Sequence, residues 1–582
     1  MKKELTTFLF LFSATCLLQA EEVNEHEASQ AAMRFFNQTP ELRKSNGLQT
    51  TTPILSYTLK ESGKNSIYIY NNPNDQGFVL IAGDDQAPEV LGYSDKGNFQ
   101  YEQLPPNAKA FINHLSVQVD AISNGQKAVA DPNWDTEMKP LLKSQWGQEK
   151  PFNLKCPTYQ GLQCMTGCVA TAMAQVMYAH QWPAKGTGDI DYTTNTLGIR
   201  LWNDLSTSTY LWFKMLPKYS SNSDEEAIDQ VAQLMADCGY AVFMDYMPQA
   251  SGASNYEMAR AVVENFNYDK GTRIFTEAYY PAEEWREMVK AELDAKRPLL
   301  YGGATPNMEG HQFVCDGYNK KGLFHINWGW TGTSDGYFYL NLLNPADQGT
   351  GGSSSNQAFN LYVDAVFGMQ PPVENSIAKP YTLYYDNLHA VTSQKVMQVK
   401  AFEIANMSYG TFNGDLCVEI YDLASGKTVL SATEEKIELK SLEVLENCNY
   451  RFDLTELNAG TYGIRLVSVD ADKQKETLRG LPSMPSPYLI VDETGISITY
   501  EEPTSICQTE TIQSTFFVDH ASNQIYFSDN NPIISAEIYS LQGHLIQKSE
   551  NISSITLEGL QQGCYLLKWQ TKNGWKTQKF YY

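Results

Sequence analysis

The chain has 582 residues, of which 42% are hydrophobic and 19% charged, with 35 Tyr and 25 Phe. That is too long for one hydrophobic core and too rich in aromatics and glycine for a coiled coil or a disordered chain; three or four globular, β-rich domains are expected. A formal charge of -24 argues against nucleic acid or an anionic membrane surface as partner, because both would repel it.

Residues 1–20 read as a signal peptide: Lys2 and Lys3 are the basic start, 8–18 the apolar stretch, and Leu18-Gln19-Ala20 the small-residue cleavage site before Glu21. Apolar sequence continues past Cys16, which speaks against a lipid anchor there. Removing the segment leaves nine of ten cysteines. An odd number in an exported protein leaves at least one thiol unpaired, unless a bridge forms between chains. No Cys-x-x-Cys pairs of the zinc type occur, so no metal is expected. Most of the cysteines read as small buried hydrophobes.

Residues 21–130 read as a small α+β unit. A helix is predicted over 27–36, strands over 67–70 and 78–82 across the turn-rich 71–77, and a second helix over 108–122. The polar 123–127 that follows is an exposed, cleavable linker. Residues 131–370 form the largest block, with helical patterns up to about 293, including 225–238 and 256–266. Strands follow over 299–301, 311–317, 323–328 and 336–340. Helix first and sheet after predicts an α+β domain with a cleft between two lobes. Residues 373–500 alternate apolar and polar in strand-length runs such as 416–421 and 463–468, the signature of a β-sandwich. Residues 501–582 repeat that character on a smaller scale and end in a tight hairpin at 573–577.

The most informative stretch is 165–177. Val169, Ala172, Met173, Val176 and Met177 follow helical spacing, and Thr166-Gly167 form a turn before them. Cys168 therefore falls in the first turn, where free N–H groups and the helix dipole favour a thiolate and could serve an oxyanion. A cysteine at a helix start is also a common packing residue, so a base must be found. Residues 131–370 hold three histidines: His180, His311 and His325. His180 is about three turns along the same helix, at roughly 1.5 Å per residue, and cannot reach the thiol. His325 alternates onto a sheet face and reads as packed. His311, after Gly310 and before a buried-type strand, is the better base. Asn327 could orient its imidazole and Trp328 could shield that contact, though Trp328 and Trp330 also suit a core around a glycine turn. The glycine-rich 348–356 lacks the Lys-Ser/Thr and helix of a phosphate loop and reads as a mobile loop by the cleft. The stretch 316–322 reads as a plain hairpin turn rather than a calcium loop.

Thr166-Gly-Cys168-Val-Ala-Thr-Ala, Gly310-His311-x-Phe313-Val and His325-x-Asn327-Trp328-Gly-Trp330 together resemble the streptopain family of papain-like cysteine peptidases. Gly77-Phe78-Val79, Gly83-Asp84 and 89–94 are similar to that family's inhibitory pro-domain. The resemblance implies a papain-like, two-lobed peptidase over 131–370 behind a pro-domain over 21–130, hydrolysing peptide bonds of protein substrates and needing no cofactor. It implies Cys168 as nucleophile, His311 as general base, Gln148 as the oxyanion-hole side chain with Gln145 as its neighbouring alternative, and Trp328 beside the histidine. Asn107 matches an asparagine with which the pro-domain plugs the active site. The last segment resembles the type IX secretion sorting domain of Bacteroidota cargo, on Ile538-Tyr539-Ser540-Leu541-Gln542-Gly543, Leu557-Glu-Gly559-Leu560 and Gly563-x-Tyr565. That implies the secretion machinery as a partner and an extracellular or cell-surface location. A transferase or amidase using the same Cys/His pair, and a surface adhesin with an inactive core, are the alternatives.

Overall fold

The computed structural model describes residues 21–39, 52–104, 106–304, 310–343, 362–493 and 495–501, together with the strands between 516 and 581. The expected export segment 1–20 and the glycine-rich 348–356 lie outside the described residues. The architecture is α+β. The chain divides into two compact units, Met1–Glu502 and Pro503–Tyr582.

The first unit is built on a ten-stranded antiparallel sheet. Its order is Ile54–Glu61, Lys64–Asn71, Phe78–Ala82, Val90–Ser94, Gly336–Phe338, Phe324–Asn327, Gly310–Tyr318, Leu299–Ala304, Tyr362–Phe367, Arg273–Thr276. The four strands of the N-terminal segment thus continue into the sheet of the following block. The seam is short: Tyr93 opposes Tyr337 and Gly92 opposes Phe338. Gly92 is required there, since a Cβ on it would meet the Phe338 ring at 2.4 Å.

Two helices cover the N-terminal strands. Glu25–Gln38 begins with a full capping box, Asn24 accepting from the Glu27 N–H while the Glu27 side chain accepts from Asn24. It buries Ala28, Ala31, Ala32 and Phe36 against the sheet. Pro106–Ser123, here the pro-helix, starts two residues before the predicted span, at a proline suited to a first turn.

The helical half of the central block comprises Cys168–His180, Glu225–Ala241, Asn255–Glu264 and Ala282–Asp294. The first of these, the thiol helix, is buried from Val169 through Met177. Its Val169, Ala172, Met173 and Val176 share a core with Leu300, Val314 and Val366 of the sheet. Phe313, Cys315, Tyr301 and Ala365 of the same strands belong to the other core, with Trp328 and the pro-helix. The strand Gly310–Tyr318 therefore divides two cores, as period-two alternation requires.

Beyond residue 380 the first unit is all β around its own core of Leu388, Met397, Phe412, Leu416, Val418, Ile464 and Leu466. Phe412–Asp422 and Gly460–Asp470 pair along most of their length. In the second unit, Ile533–Ser540 lies between Leu545–Ile552 and Cys564–Thr571, and Gly574–Tyr581 follows as the last strand of the hairpin. Its core holds Ile525, Ile538, Leu567 and Trp569.

Candidate active site

Gly167 caps the thiol helix with φ +84°, and any side chain there would strike the Met244 thioether at 2.6 Å. The turn is locked on both sides. Thr171 donates through Oγ1 and N to the Gly167 carbonyl at 2.9 and 3.1 Å, and the Thr166 N–H donates to the Gln148 carbonyl at 3.1 Å. This brings the backbone of the 146–148 segment alongside the first turn. Gln148 is buried. The Gln145 side chain instead packs against Gly332 in the turn after Trp330.

Cys168 is half-buried. Burial pushes its thiol pKa up, while the N–H groups of Gln312, Val169 and Cys168 itself pull it down. The net direction is upward, against the lowered value expected from the helix start alone. The helix N–H groups act as anticipated, but desolvation outweighs them. Seven cysteines are free among the described residues, and apart from Cys168 and the half-buried Cys417 they are buried.

His311 stands second in the strand Gly310–Tyr318, opposite Gly303. Its side chain, like that of Asn107, lies outside the described residues. The next residue reaches the thiol: the Gln312 N–H is one of the three donors aimed at Cys168. His180 is at the far end of the thiol helix, bonded to the Tyr268 hydroxyl at 3.2 Å, with burial holding its pKa down at about 4. His325 is ion-paired with Asp316, Nδ1 to Oδ1 at 2.6 Å. Burial lowers its pKa, but Asp316 and Asp335 outweigh that and leave it raised. Both histidines are structurally engaged away from the thiol.

Trp328 is buried, its Nε1 donating to the Ser334 carbonyl at 3.0 Å and its backbone N–H to Asp335 at 2.9 Å. Its ring packs on Phe313 at 5.0 Å and on Phe111 of the pro-helix at 5.3 Å. Asn327 does something the sequence reading did not anticipate. Its Oδ1 accepts from Gln175 Nε2 and from the Gly329 N–H, both at 3.0 Å, and its Nδ2 donates to the Ser144 carbonyl at 3.0 Å. The Asn327 amide thus braces the Trp328 turn to the thiol helix. Gln175 was missed, although a lone amide among buried apolar residues two turns after Cys168 was a visible signal. Asp335 accepts from the Trp328 backbone N–H, and burial raises its carboxyl to about 7. Among the described residues no cluster of three or more His, Cys, Asp or Glu could hold a metal.

Models of three families match the chain: the Peptidase C10 family over residues 146–338, the Spi protease inhibitor over 20–119, and the secretion system C-terminal sorting domain over 521–581. The thiol protease/hemagglutinin PrtT of Porphyromonas gingivalis is 31% identical over 442 residues, covering 72% of this chain and 49% of that protein. The chain thus spans about half the length of that relative. Streptopain of Streptococcus pyogenes is 32% identical over 375 residues, covering 60% of this chain and 92% of streptopain. Among solved structures, a prointerpain A fragment of Prevotella intermedia is 32% identical, with TM-score 0.48, covering 55% of this chain and 99% of the fragment. Active interpain A from the same organism is 35% identical, with TM-score 0.37, covering 42% of this chain and 100% of that one. With nine-tenths of streptopain matched at this identity, the chain belongs to the Peptidase C10, or streptopain, family.

Proposed function

We propose that this chain is a cysteine-type endopeptidase, exported as an inactive precursor, with Cys168 as nucleophile and His311 as general base. The observation that carries the assignment is the Gln312 N–H aimed at the Cys168 thiol, which brings the residue adjoining His311 to the helix start. The thiolate attacks the scissile carbonyl, forming a C–S bond as the carbonyl π pair moves to oxygen. The Cys168 N–H and Gln148 receive that oxyanion. Collapse expels the amine, which takes its proton from His311. Water, deprotonated by His311, then attacks the thioester and releases the acid and the thiolate. Trp328 shields the histidine.

Residues 21–130 act as the intramolecular inhibitor. Phe111 of the pro-helix lies on Trp328 and Phe313, the rings flanking the proposed base, and that contact keeps the precursor silent. Maturation cuts the exposed chain beyond Ser123. Residues 1–20 are the signal peptide, and the C-terminal unit delivers the protein through a type IX system to the cell surface or beyond.

Cys168→Ala tests the assignment. Casein hydrolysis by the matured protein should vanish, and the precursor should accumulate uncut if maturation is autocatalytic. Undiminished casein turnover by that variant overturns it.

A further inference from the structure

Resting on that reading, we propose that the side-chain amide of Gln312 is the selective wall of a substrate subsite beside the thiol, and that the subsite takes a peptide side chain ending in a carboxamide. Gln312 is 2% exposed, and both its Oε1 and its Nε2 lack a hydrogen-bond partner. Folding alone gives no reason for this: Met fills the same volume without stranding a donor and an acceptor. Buried amides left unpaired call for an explanation, and this one belongs to the residue whose backbone N–H is directed toward the Cys168 thiol.

Its direction follows from the strand. Phe313 and Cys315 face the Trp328 side, whereas Val314 packs with the thiol helix, so Gln312 lies on the thiol-helix face, one step nearer the thiol than Val314. Across the sheet in register, Gln312 opposes Gly302, Gly302 opposes Asp364, and Asp364 opposes Thr276. Adjacent strands are about 4.8 Å apart, so the Gln312 and Asp364 side chains flank a position, Gly302, that has none. Asp364 is also buried and accepts from Thr276 Oγ1 at 2.7 Å. Burial raises its carboxyl to about 6, with Thr276 and Asn255 opposing the rise.

The walls therefore offer one amide donor, one amide acceptor and, above pH 6, a carboxylate. A carboxamide supplies two donors and one acceptor and answers all three. A hydroxyl answers fewer, an ammonium leaves the Gln312 N–H unmet, and an aliphatic side chain leaves both amide atoms stranded.

The test uses the full chain after maturation and fluorogenic peptides that carry Gln or Met, and Asn or Leu, in turn at each position around the scissile bond. At one position the parent enzyme should favour the carboxamide by about tenfold or more in kcat/KM. Gln312→Met should erase that preference there and nowhere else, while raising the thermal midpoint because the stranded amide is gone. Gln312→Glu should shift the same position toward Lys. No carboxamide preference in the parent, an unchanged profile in Gln312→Met, or loss of all cleavage by both variants while folded each overturns the proposal. A parent that cleaves no peptide at all instead overturns the peptidase reading.

Discussion

The peptidase block is covered on two sides, and the two covers are attached by different physics. The N-terminal segment closes only a small core of its own, beneath its first helix, and its larger core is shared. Its Phe78, Phe99, Phe111, Ile112 and Leu115 share one core with Phe313, Trp328 and Phe338, and its strands extend the same sheet. Gln118 of the pro-helix accepts the N–H groups of Leu342 and Leu343 at 2.7 and 2.9 Å. The β region beyond residue 380 closes its own core and meets the peptidase mainly through polar and stacking contacts. Arg273 pairs with Glu476 at 2.9 Å, Arg479 pairs with Glu284, and Tyr279 stacks on Tyr384 at 4.0 Å. A shared core makes the N-terminal segment part of the fold it covers; a separate core makes the β region an appendage.

The largest expected effect breaks the shared core. Phe111 meets three aromatic rings of the peptidase, Phe313, Trp328 and Phe338, at 5.3–6.2 Å. Phe111→Ala should cost about 3–5 kcal/mol of precursor stability and leave a cavity against Trp328. Denaturant unfolding reads the first effect. Faster labelling of Cys168 in the uncut precursor by a thiol-reactive peptide probe reads the second. An unaltered labelling rate would mean that Phe111 packs without gating the thiol.

On the other side the sharper test is pH. Glu277 is buried beside the Tyr279–Tyr384 stack, its Oε1 unpartnered, and burial raises its pKa to about 8 against a hydrogen bond from Asn341. Between about pH 4.5 and 8 the folded state keeps a proton that the unfolded chain has lost. Stability at this site therefore falls as pH rises through that window, by a few kcal/mol in all, and levels off above it. Glu277→Gln should match the parent near pH 5 and exceed it near pH 8 in thermal unfolding.

How much of this could be read from the amino acids varies with the range of the interaction. The thiol helix was legible because its apolar spacing is local, and the strand Gly310–Tyr318 because its run of buried-type residues is. Cys168 stood out by its place at the start of that helix, and His311 by the scarcity of histidine. What failed was non-local. The pairing of Tyr93 with Tyr337 joins residues 244 apart, and nothing in either strand names the other. The direction of the Cys168 pKa was misjudged because the helix start is visible in sequence while the burial around it is not. Gln312 gave no signal for the same reason: an unpaired amide is recognised only once its neighbours are in place.

A smaller effect of the opposite sign belongs to the pro-helix. His114 is buried, its Nδ1 unpartnered, and burial lowers its pKa to about 4. From pH 6.5 down to about 4 the unfolded segment takes up a proton that the folded one refuses, so stability is present above 6.5 and is lost as the solution is acidified. The full loss is about 3 kcal/mol if the segment opens alone. The inhibitor should therefore loosen in acid, while the Glu277 region tightens there, and the two covers respond in opposite directions. Following precursor cleavage at pH 5 and pH 7.5 with His114→Leu beside the parent separates the causes. Acid-accelerated release that survives in His114→Leu would place the sensitivity elsewhere, with His325 and its partners Asp316 and Asp335 the next groups to substitute.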